Sequence, residues 1–164
     1  MTLETFSLDT LLQEITDIGA GITGIRAAYN YDEWPDAPPG MPNEDQVYHL
    51  TSLPGEVGGG MRELVRGSDL GEYEIDVPIY VVIAPPAMYK RARSWAQPFF
   101  QRYYDAFAVQ LHVGGSITSG AAHIAKPTIV VSKIPFFPGY DDFYTLRHIV
   151  TCHVKGARTR ALGN

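Results

Sequence analysis

Hydrophobic and polar positions alternate most regularly over residues 72–84. One face of this stretch is apolar, made of Tyr73, Ile75, Val77, Ile79, Val81 and Ile83. The other face begins with Glu72, Glu74 and Asp76. Such a pattern predicts a strand of an antiparallel sheet that is covered on one side. Because Pro78 has no backbone N–H, we expect this strand to lie at an edge, to bulge, or to be paired only on its other side there.

Apolar residues at helical spacing predict two helices. The first has Ser7 as its cap and an apolar face of Leu8, Leu11, Leu12, Ile15 and Ile18. The second covers residues 85–111, with a stripe of Met88, Ala92, Trp95, Phe99, Tyr103 and Ala106. Pro98 lies inside this second segment and is expected to kink or divide it.

The remaining segments complete a single α+β domain. Further strands are predicted at residues 25–31, 45–53, 128–134 and 143–156. We expect a mainly antiparallel β-sheet with helices packed on one face, in one domain that spans residues 1–164. The glycine-containing stretch at residues 54–71 is predicted to be a mobile loop, and residues 157–164 a short C-terminal tail. Residues 112–127 are predicted to be a loop region with at most a short strand.

Composition narrows the class of protein. The chain has 164 residues, of which 45% are hydrophobic, enough for one buried core. No apolar run is long enough for a membrane span, and the N-terminus lacks the features of a signal peptide, so we expect a cytoplasmic chain. A single cysteine forms no internal disulfide. The net charge of −5 argues against a protein that binds nucleic acid by neutralising phosphates.

The stretch TLRHIVTCHVKGA, residues 145–157, brings two histidines and the only cysteine together and invites a metal or thiol interpretation. In a strand, however, His148 and His153 point to opposite faces of the sheet. His148 and Cys152 share a face but lie about 13 Å apart along the strand, much farther than two ligands of one metal. We therefore predict no metal site here, and a buried thiol that acts as a small hydrophobic side chain.

Elsewhere in the chain, two segments resemble catalytic motifs but lack some of the residues that define them. The glycine run at residues 58–60 lacks the Lys-Ser/Thr ending of a phosphate-binding loop. Ser116 lies in GGSITSG, which lacks the second glycine of a nucleophile elbow. A small hydrolase or ligand-binding domain that uses Ser116, His112 or His123 remains as an alternative. Our first expectation is a protein that is not an enzyme, with no catalytic residues and no cofactor.

The order of the predicted segments along the chain is informative. An amphipathic helix LDTLLQEITDI is followed by GITGIRAAYNY, a proline-rich crossing and VYHLTSL. A long loop, the alternating EYEIDVPIYVVI and the helix RARSWAQPFFQRYYDAF come next, and PGYDDFYTLRHIVTCHV closes the domain. Over residues 8–156 this layout resembles the tail-terminator, or tail-completion, proteins of tailed bacteriophages. The long helix with Pro98 and the extended connection at residues 114–127 depart from that layout.

The resemblance implies a structural virion protein that forms a ring, typically a hexamer. Such a ring caps the tail tube and joins the tail to the head-side connector, in the tail–neck region of a virion assembled in the host cytoplasm. The implied partners are further copies of the chain, the tail tube protein and the connector or neck protein, with no membrane. DNA would pass through the ring without specific binding. Another neck or head–tail connector protein is the alternative within the same class.

Two groups of contact residues are expected on this basis. The first group, facing the tail tube, lies in the glycine-containing loop: Glu56, Arg62, Glu63, Arg66 and Asp69. The second group would face a neighbouring subunit or the connector, and lies on the second helix and the last strand: Tyr89, Lys90, Arg91, Arg93, Phe100, Tyr104, Arg147, His153 and Lys155. The wide aromatic face of the second helix indicates either a deep core or a subunit contact, because it is wider than one helix face usually buries.

Overall fold

A computed structural model describes residues 8–35, 47–55, 59–66, 70–84, 88–108, 122–132 and 143–157. It contains two helices and six strands in the order α1 Leu8–Ala20, β1 Ile25–Tyr29, β2 Val47–Thr51, β3 Gly60–Arg66, β4 Leu70–Ala84, α2 Tyr89–Phe107, β5 Ala122–Ser132 and β6 Phe143–Ala157. All six strands belong to one sheet. No helix in these ranges has an apolar stretch long enough to cross a bilayer.

The sheet has the strand order β1-β2-β4-β6-β5, and β3 pairs with β4 beside this path. Every pair is antiparallel except β1 with β2, which is parallel. The sheet is therefore mixed but mainly antiparallel, and with two helices it forms the predicted α+β domain.

β4 is the central strand of the sheet and has different partners along one edge. Its first half pairs with β3 and its second half with β2, while β6 follows it along the whole of the other edge. Pro78 lies where the partner changes from β3 to β2, between Asp76 and Ile79. Its carbonyl accepts a hydrogen bond from the N–H of Ser52 at 3.0 Å. Pro78 has no backbone N–H to donate, and it lies at the point where β4 changes partner from β3 to β2. At this point the absent N–H costs the sheet few hydrogen bonds.

Both helices pack on one face of the sheet. The core between the helices and the sheet contains the odd-numbered apolar residues of β4, the even-numbered apolar residues of β6, and the apolar stripes of the two helices. Its largest fully buried members are Tyr103, Phe99, Phe107, Leu11, Leu12 and Ile15. Burial of such side chains contributes about 1.5–3 kcal/mol each, which makes this layer the main source of stability.

The other face of the sheet carries a smaller apolar cluster, made of Tyr48, Leu50, Tyr80, Val82 and Phe143. Trp34 packs against it, and its indole N–H donates a hydrogen bond to the carbonyl of Thr51 at 2.9 Å. The charged start of this face, at Glu74 and Asp76, therefore gives way to a buried region near the end of β4.

Several predicted elements need correction. Residues 60–66, which were predicted to lie in a mobile loop at 54–71, form strand β3, and β4 begins at Leu70. β5 begins at Ala122 rather than Thr128, so it takes in the last six residues of the predicted loop at 112–127. α2 continues through Pro98 as one helix. Ala157, predicted to begin the tail, ends β6. Ser7 lies outside the described residues.

Gly59, which leads into β3, is expected to be intolerant of alanine. Its φ is +74°, and an added Cβ would overlap the backbone oxygen of Asp76. Since that oxygen belongs to the strand with which β3 pairs, we expect Gly59→Ala to lower the free energy of unfolding by about 2 kcal/mol. Gly55→Ala is the matched control, because Gly55 has a φ of +91° but no atom within 4 Å of its added Cβ. Urea denaturation of both variants measures the difference, and equal losses would contradict the overlap.

Candidate functional site

The chemically richest group in the described part of the chain is a chain of hydrogen bonds beneath the helices. His49 on β2 is fully buried, with its Nδ1 2.7 Å from the Tyr103 hydroxyl and its Nε2 2.8 Å from the Thr51 hydroxyl. The Thr51 hydroxyl lies 2.8 Å from that of Thr16 on α1, whose own hydroxyl donates to the carbonyl of Leu12. This series of hydrogen bonds therefore connects α1, β2 and α2.

The positions of the protons in this series of hydrogen bonds can be assigned by starting from Thr16, at one end of the series. Because Thr16 uses its proton on the Leu12 carbonyl, it must accept from Thr51. Thr51 then accepts from the Nε2–H of His49, and the Nδ1 of His49 accepts from the Tyr103 hydroxyl. His49 is consequently neutral and protonated on Nε2. In this arrangement every donor has an acceptor, which is the condition for a stable polar group in a core.

A second buried histidine, His148, contacts the ring face of Tyr103. The ring of His148 stacks on that of Tyr103, with centroids 4.5 Å apart and an interplanar angle of 13°. Phe100 meets His148 edge-on at 6.3 Å. Among the described residues neither ring nitrogen of His148 has a hydrogen-bond partner. This ring is therefore held by aromatic packing rather than by polar contacts.

Burial sets the ionisation of these groups. It lowers the pKa of His148 to about 4, and burial together with the nearby imidazole of His148 lowers the pKa of His49 to about 3. Burial also raises the pKa of Tyr103 well above its usual value. All three side chains are uncharged near neutral pH and have 0% exposure, so no substrate reaches them. The group is a structural network and not an active site.

Cys152 confirms the prediction of a buried thiol. It is 2% exposed and belongs to the core beneath the helices, together with Val150. Burial, with a smaller effect of the Asp76 charge, raises the pKa of the thiol to about 12. A thiol in this state is a poor nucleophile. His153 pairs with Glu74, a position on the opposite face of the strand from Cys152 and its partner Ile75.

No group of three or more potential metal ligands is found within the described ranges. Of the residues in the hydrolase alternative, Ser116 and His112 lie outside the described residues, and His123 lies on β5 opposite Thr151. The described residues therefore leave the hydrolase alternative at Ser116 and His112 a prediction.

An open acidic cleft of about 550 Å³ lies between α1 and the turn after β1. It is lined by Asp9, Thr10, Gln13, Glu14, Asp17, Asn30, Tyr31, Asp32 and Glu33. Tyr31 donates a hydrogen bond to Asp9 at 3.2 Å, and this contact, with the charge of Asp9, raises the pKa of Tyr31. The spacing along the sequence did not reveal this cleft, because its carboxylates come from two separate segments.

One part of the sheet extends beyond its other strands. β5 pairs with β6 only as far as Cys152, and β2 pairs with β4 only from Ile79 onward. Past these points the described sheet has three strands, β3, the start of β4 and the end of β6, which we call the sheet extension: residues 62–66, 70–74 and 153–157. Met61, opposite Ile75, lies where this extension begins. Five residues of strand correspond to about 17 Å.

The predicted tail-tube residues lie partly on this extension. Arg62 is on β3, opposite Glu74, and the two side chains form an ion pair. Glu63 pairs with Tyr73, and Arg66 pairs with Gly71. Glu56 and Asp69 lie outside the described residues. Met61, which the sequence analysis did not select, is 58% exposed although its partner Ile75 is fully buried.

The predicted subunit-contact residues fall on two surfaces of the molecule. Lys90, Arg91, Arg93 and Tyr104 are exposed on α2, with Tyr104 58% exposed, and Tyr89 is the first residue of that helix. Phe100 is half-buried, since its ring contacts His148.

The last strand is less open than predicted. Thr145 and Thr151, which share the face of Arg147, are buried, and Arg147 itself is half-buried opposite Tyr80. The hydroxyl of Thr151 donates to Asp76 at 2.6 Å. Farther along the strand, His153 pairs with Glu74 and Lys155 with Glu72. The exposed face expected for β6 is thus covered along its first half.

Comparison with protein-family models gives no match to this chain, and comparison with curated protein sequences gives none either.

Proposed function

We propose that this chain is a structural virion protein of a tailed bacteriophage, a tail terminator whose copies form a ring, expected to be a hexamer. The ring would cap the tail tube and join the tail to the head-side connector, as the resemblance in element order implies. The observation that carries the proposal is the sheet extension, with Met61 exposed at its base and β3 along its outer edge. Its role as a contact replaces that of the predicted loop.

A three-stranded extension has little core of its own. Met61 lies at the register position of buried Ile75, yet more than half of it faces solvent. Burying such a side chain against a partner contributes about 1.5–2 kcal/mol. An edge strand also offers backbone groups for pairing with another chain. These properties suit an assembly contact, either with the next subunit of a ring or with the tail tube.

The distribution of charge suits a ring around DNA. Lys90, Arg91 and Arg93 are exposed on α2, whereas carboxylates gather in the cleft beside α1. A ring subunit needs two different surfaces that complement each other, because each copy contacts its neighbours head to tail. The net charge of −5 agrees with passage of DNA through the ring without specific binding.

The experiment is the mass of the purified chain in solution over a range of concentrations, with electron microscopy of the particles. We expect a concentration-dependent species of several times the 18.1 kDa chain mass, seen as rings. Met61→Glu should weaken association by about 10- to 100-fold, since it would place a charge in the contact. Tyr104→Glu, equally exposed on α2, tests the second predicted surface.

Thr23→Glu is the control, because it adds the same charge at an exposed residue of the α1–β1 turn. Rings that persist in Met61→Glu would exclude the sheet extension as the subunit contact and leave it for the tube. A chain that remains monomeric at every concentration would contradict ring formation by the chain alone. Binding of such a monomer to the head-side connector, but not to tail tubes, would favour the alternative of a head-side neck protein.

A further inference from the structure

Two imidazoles flank the ring of Tyr103 where α2 meets the sheet. His148 stacks on its face at 4.5 Å, and His49 is hydrogen-bonded to its hydroxyl. All three side chains have 0% exposure. The contact between the middle of α2 and strands β2 and β6 is therefore built around two groups that can each take up a proton.

Both rings fit this place only in their neutral form. A proton on Nδ1 of His49 would face the Tyr103 hydroxyl, which already donates to that nitrogen, and would leave the hydroxyl proton without its acceptor. His148 has no described partner for either nitrogen, so a charged ring would lie in aromatic and apolar surroundings. A buried charge without a partner is among the most costly states in a protein core.

No described carboxylate faces the pair to offset such a charge. The groups around the pair come from each packed element: Tyr103 and Phe100 from α2, Ile79 from β4, Thr16 and Gly19 from α1, and Thr51 from β2. On β6, Tyr144 and Cys152 share the face of His148 but lie four residues from it, about 13 Å along the strand. On β5, Lys126 lies in the backbone irregularity between Ala125 and Thr128, at the level of His148. Asp76 lies on the other face of β4, where it accepts from Thr151.

We propose that His49 and His148 form an acid-sensitive latch, which holds α2 on the sheet while both rings are neutral and releases α2 when either ring is protonated.

The direction of the pH dependence follows from the two histidines. Their pKa values are lowered in the folded protein, to about 3 and about 4, from an ordinary value of 6.5. The closed state is thus fully favoured above pH 6.5 and loses stability as the pH falls toward 4. For each histidine that takes up a proton, the ratio of released to closed protein rises about tenfold per pH unit. With both histidines the rise is about a hundredfold per unit.

Two tryptophans provide separate reporters. Trp95 lies in α2 and is buried in the core beneath it, whereas Trp34 packs on the opposite face of the sheet. In the full chain, Trp34→Phe leaves Trp95 as the only tryptophan, and Trp95→Phe leaves Trp34. On titration from pH 7.5 to pH 4, we expect the emission of Trp95 to change at a higher pH than that of Trp34. A simultaneous change of both would overturn the latch in favour of global acid unfolding.

His148→Leu tests the assignment to this residue, because leucine removes the proton site and the two unpartnered nitrogens. We expect the Trp95 transition to move at least one pH unit lower, with its dependence on pH reduced from about a hundredfold to about tenfold per unit. His148→Met serves where the leucine variant does not fold at pH 7.5. His153→Gln is the control for loss of an imidazole on the same strand, because position 153 lies on the opposite face of β6 from His148, and it should leave the transition unchanged. An unchanged transition in the His148 variants would overturn the proposal.

Discussion

Replacing Gly19 by alanine is expected to lower the free energy of unfolding by about 2–4 kcal/mol, although alanine is the better helix former. Gly19 is buried in the last turn of α1, and an added Cβ would overlap the ring of His49. That ring is held at both nitrogens, by Tyr103 and Thr51, so it has no free direction in which to move. Relief of the overlap would break at least one buried hydrogen bond.

Gly21→Ala is the matched control for this prediction. Gly21 is exposed, follows α1 by one residue, and its added Cβ would meet the carbonyl oxygens of Ile18 and Asp17 at 3.5 and 3.8 Å, which is ordinary contact. We expect Gly21→Ala to change the free energy of unfolding by less than about 0.5 kcal/mol. Chemical denaturation of both variants, followed by circular dichroism, gives the two values. Similar stabilities for Gly19→Ala and Gly21→Ala would show that the helix tolerates a side chain at Gly19.

Thr51→Val is the second substitution with a large expected effect. We expect it to lower the free energy of unfolding by about 2–3 kcal/mol. Valine keeps the shape of threonine but removes the hydroxyl that joins His49 to Thr16. The Nε2–H of His49 would then be buried without an acceptor, which costs more than the hydrogen bond itself contributes. Thr23→Val makes the same chemical change at an exposed position and should alter stability by less than about 0.5 kcal/mol.

A double-mutant cycle separates the network from simple loss of a hydroxyl. Tyr103→Phe removes the donor to Nδ1 of the same histidine, so its effect should not add to that of Thr51→Val. We expect a coupling of about 1 kcal/mol between the two substitutions, measured from urea denaturation of the single and double variants. Strict additivity would mean that His49 does not link the two residues.

The periodic parts of the fold could be predicted from the sequence alone. Leu11, Leu12 and Ile15 define the buried face of α1, and the alternation from Ile75 to Ile83 defines the helix-facing side of β4. The same alternation along β6 placed Cys152 in the core. These predictions hold because burial of one face imposes a regular period on the residues that form it.

β3 was not predicted, because its residues follow glycines and carry mixed charges. In Gly60–Arg66 the sequence GMRELVR has no sustained alternation, and Glu63 and Val65 flank an irregularity in the pairing. The strand forms because the first half of β4 offers it an open edge. Pairing with a partner can thus determine a strand whose own pattern is weak.

The polar network could not be predicted either, since its members are far apart in the chain. Thr16, His49, Thr51 and Tyr103 each occupy a buried position of an element that the pattern does predict, but nothing local indicates that they meet. Likewise the acidic cleft joins α1 to the turn after β1, and the exposure of Met61 depends on its place on β3, opposite Ile75.

The sequence by itself determined the α+β class, the faces of α1, β4 and β6, and the burial of the single thiol, because each depends on local periodicity. Tertiary structure alone decided that residues 60–66 pair as a strand, and that His148 stacks on the ring of Tyr103 while His49 is hydrogen-bonded to its hydroxyl. Those outcomes depend on contacts between segments distant in sequence, whose geometry is set by the packing of the helices on the sheet.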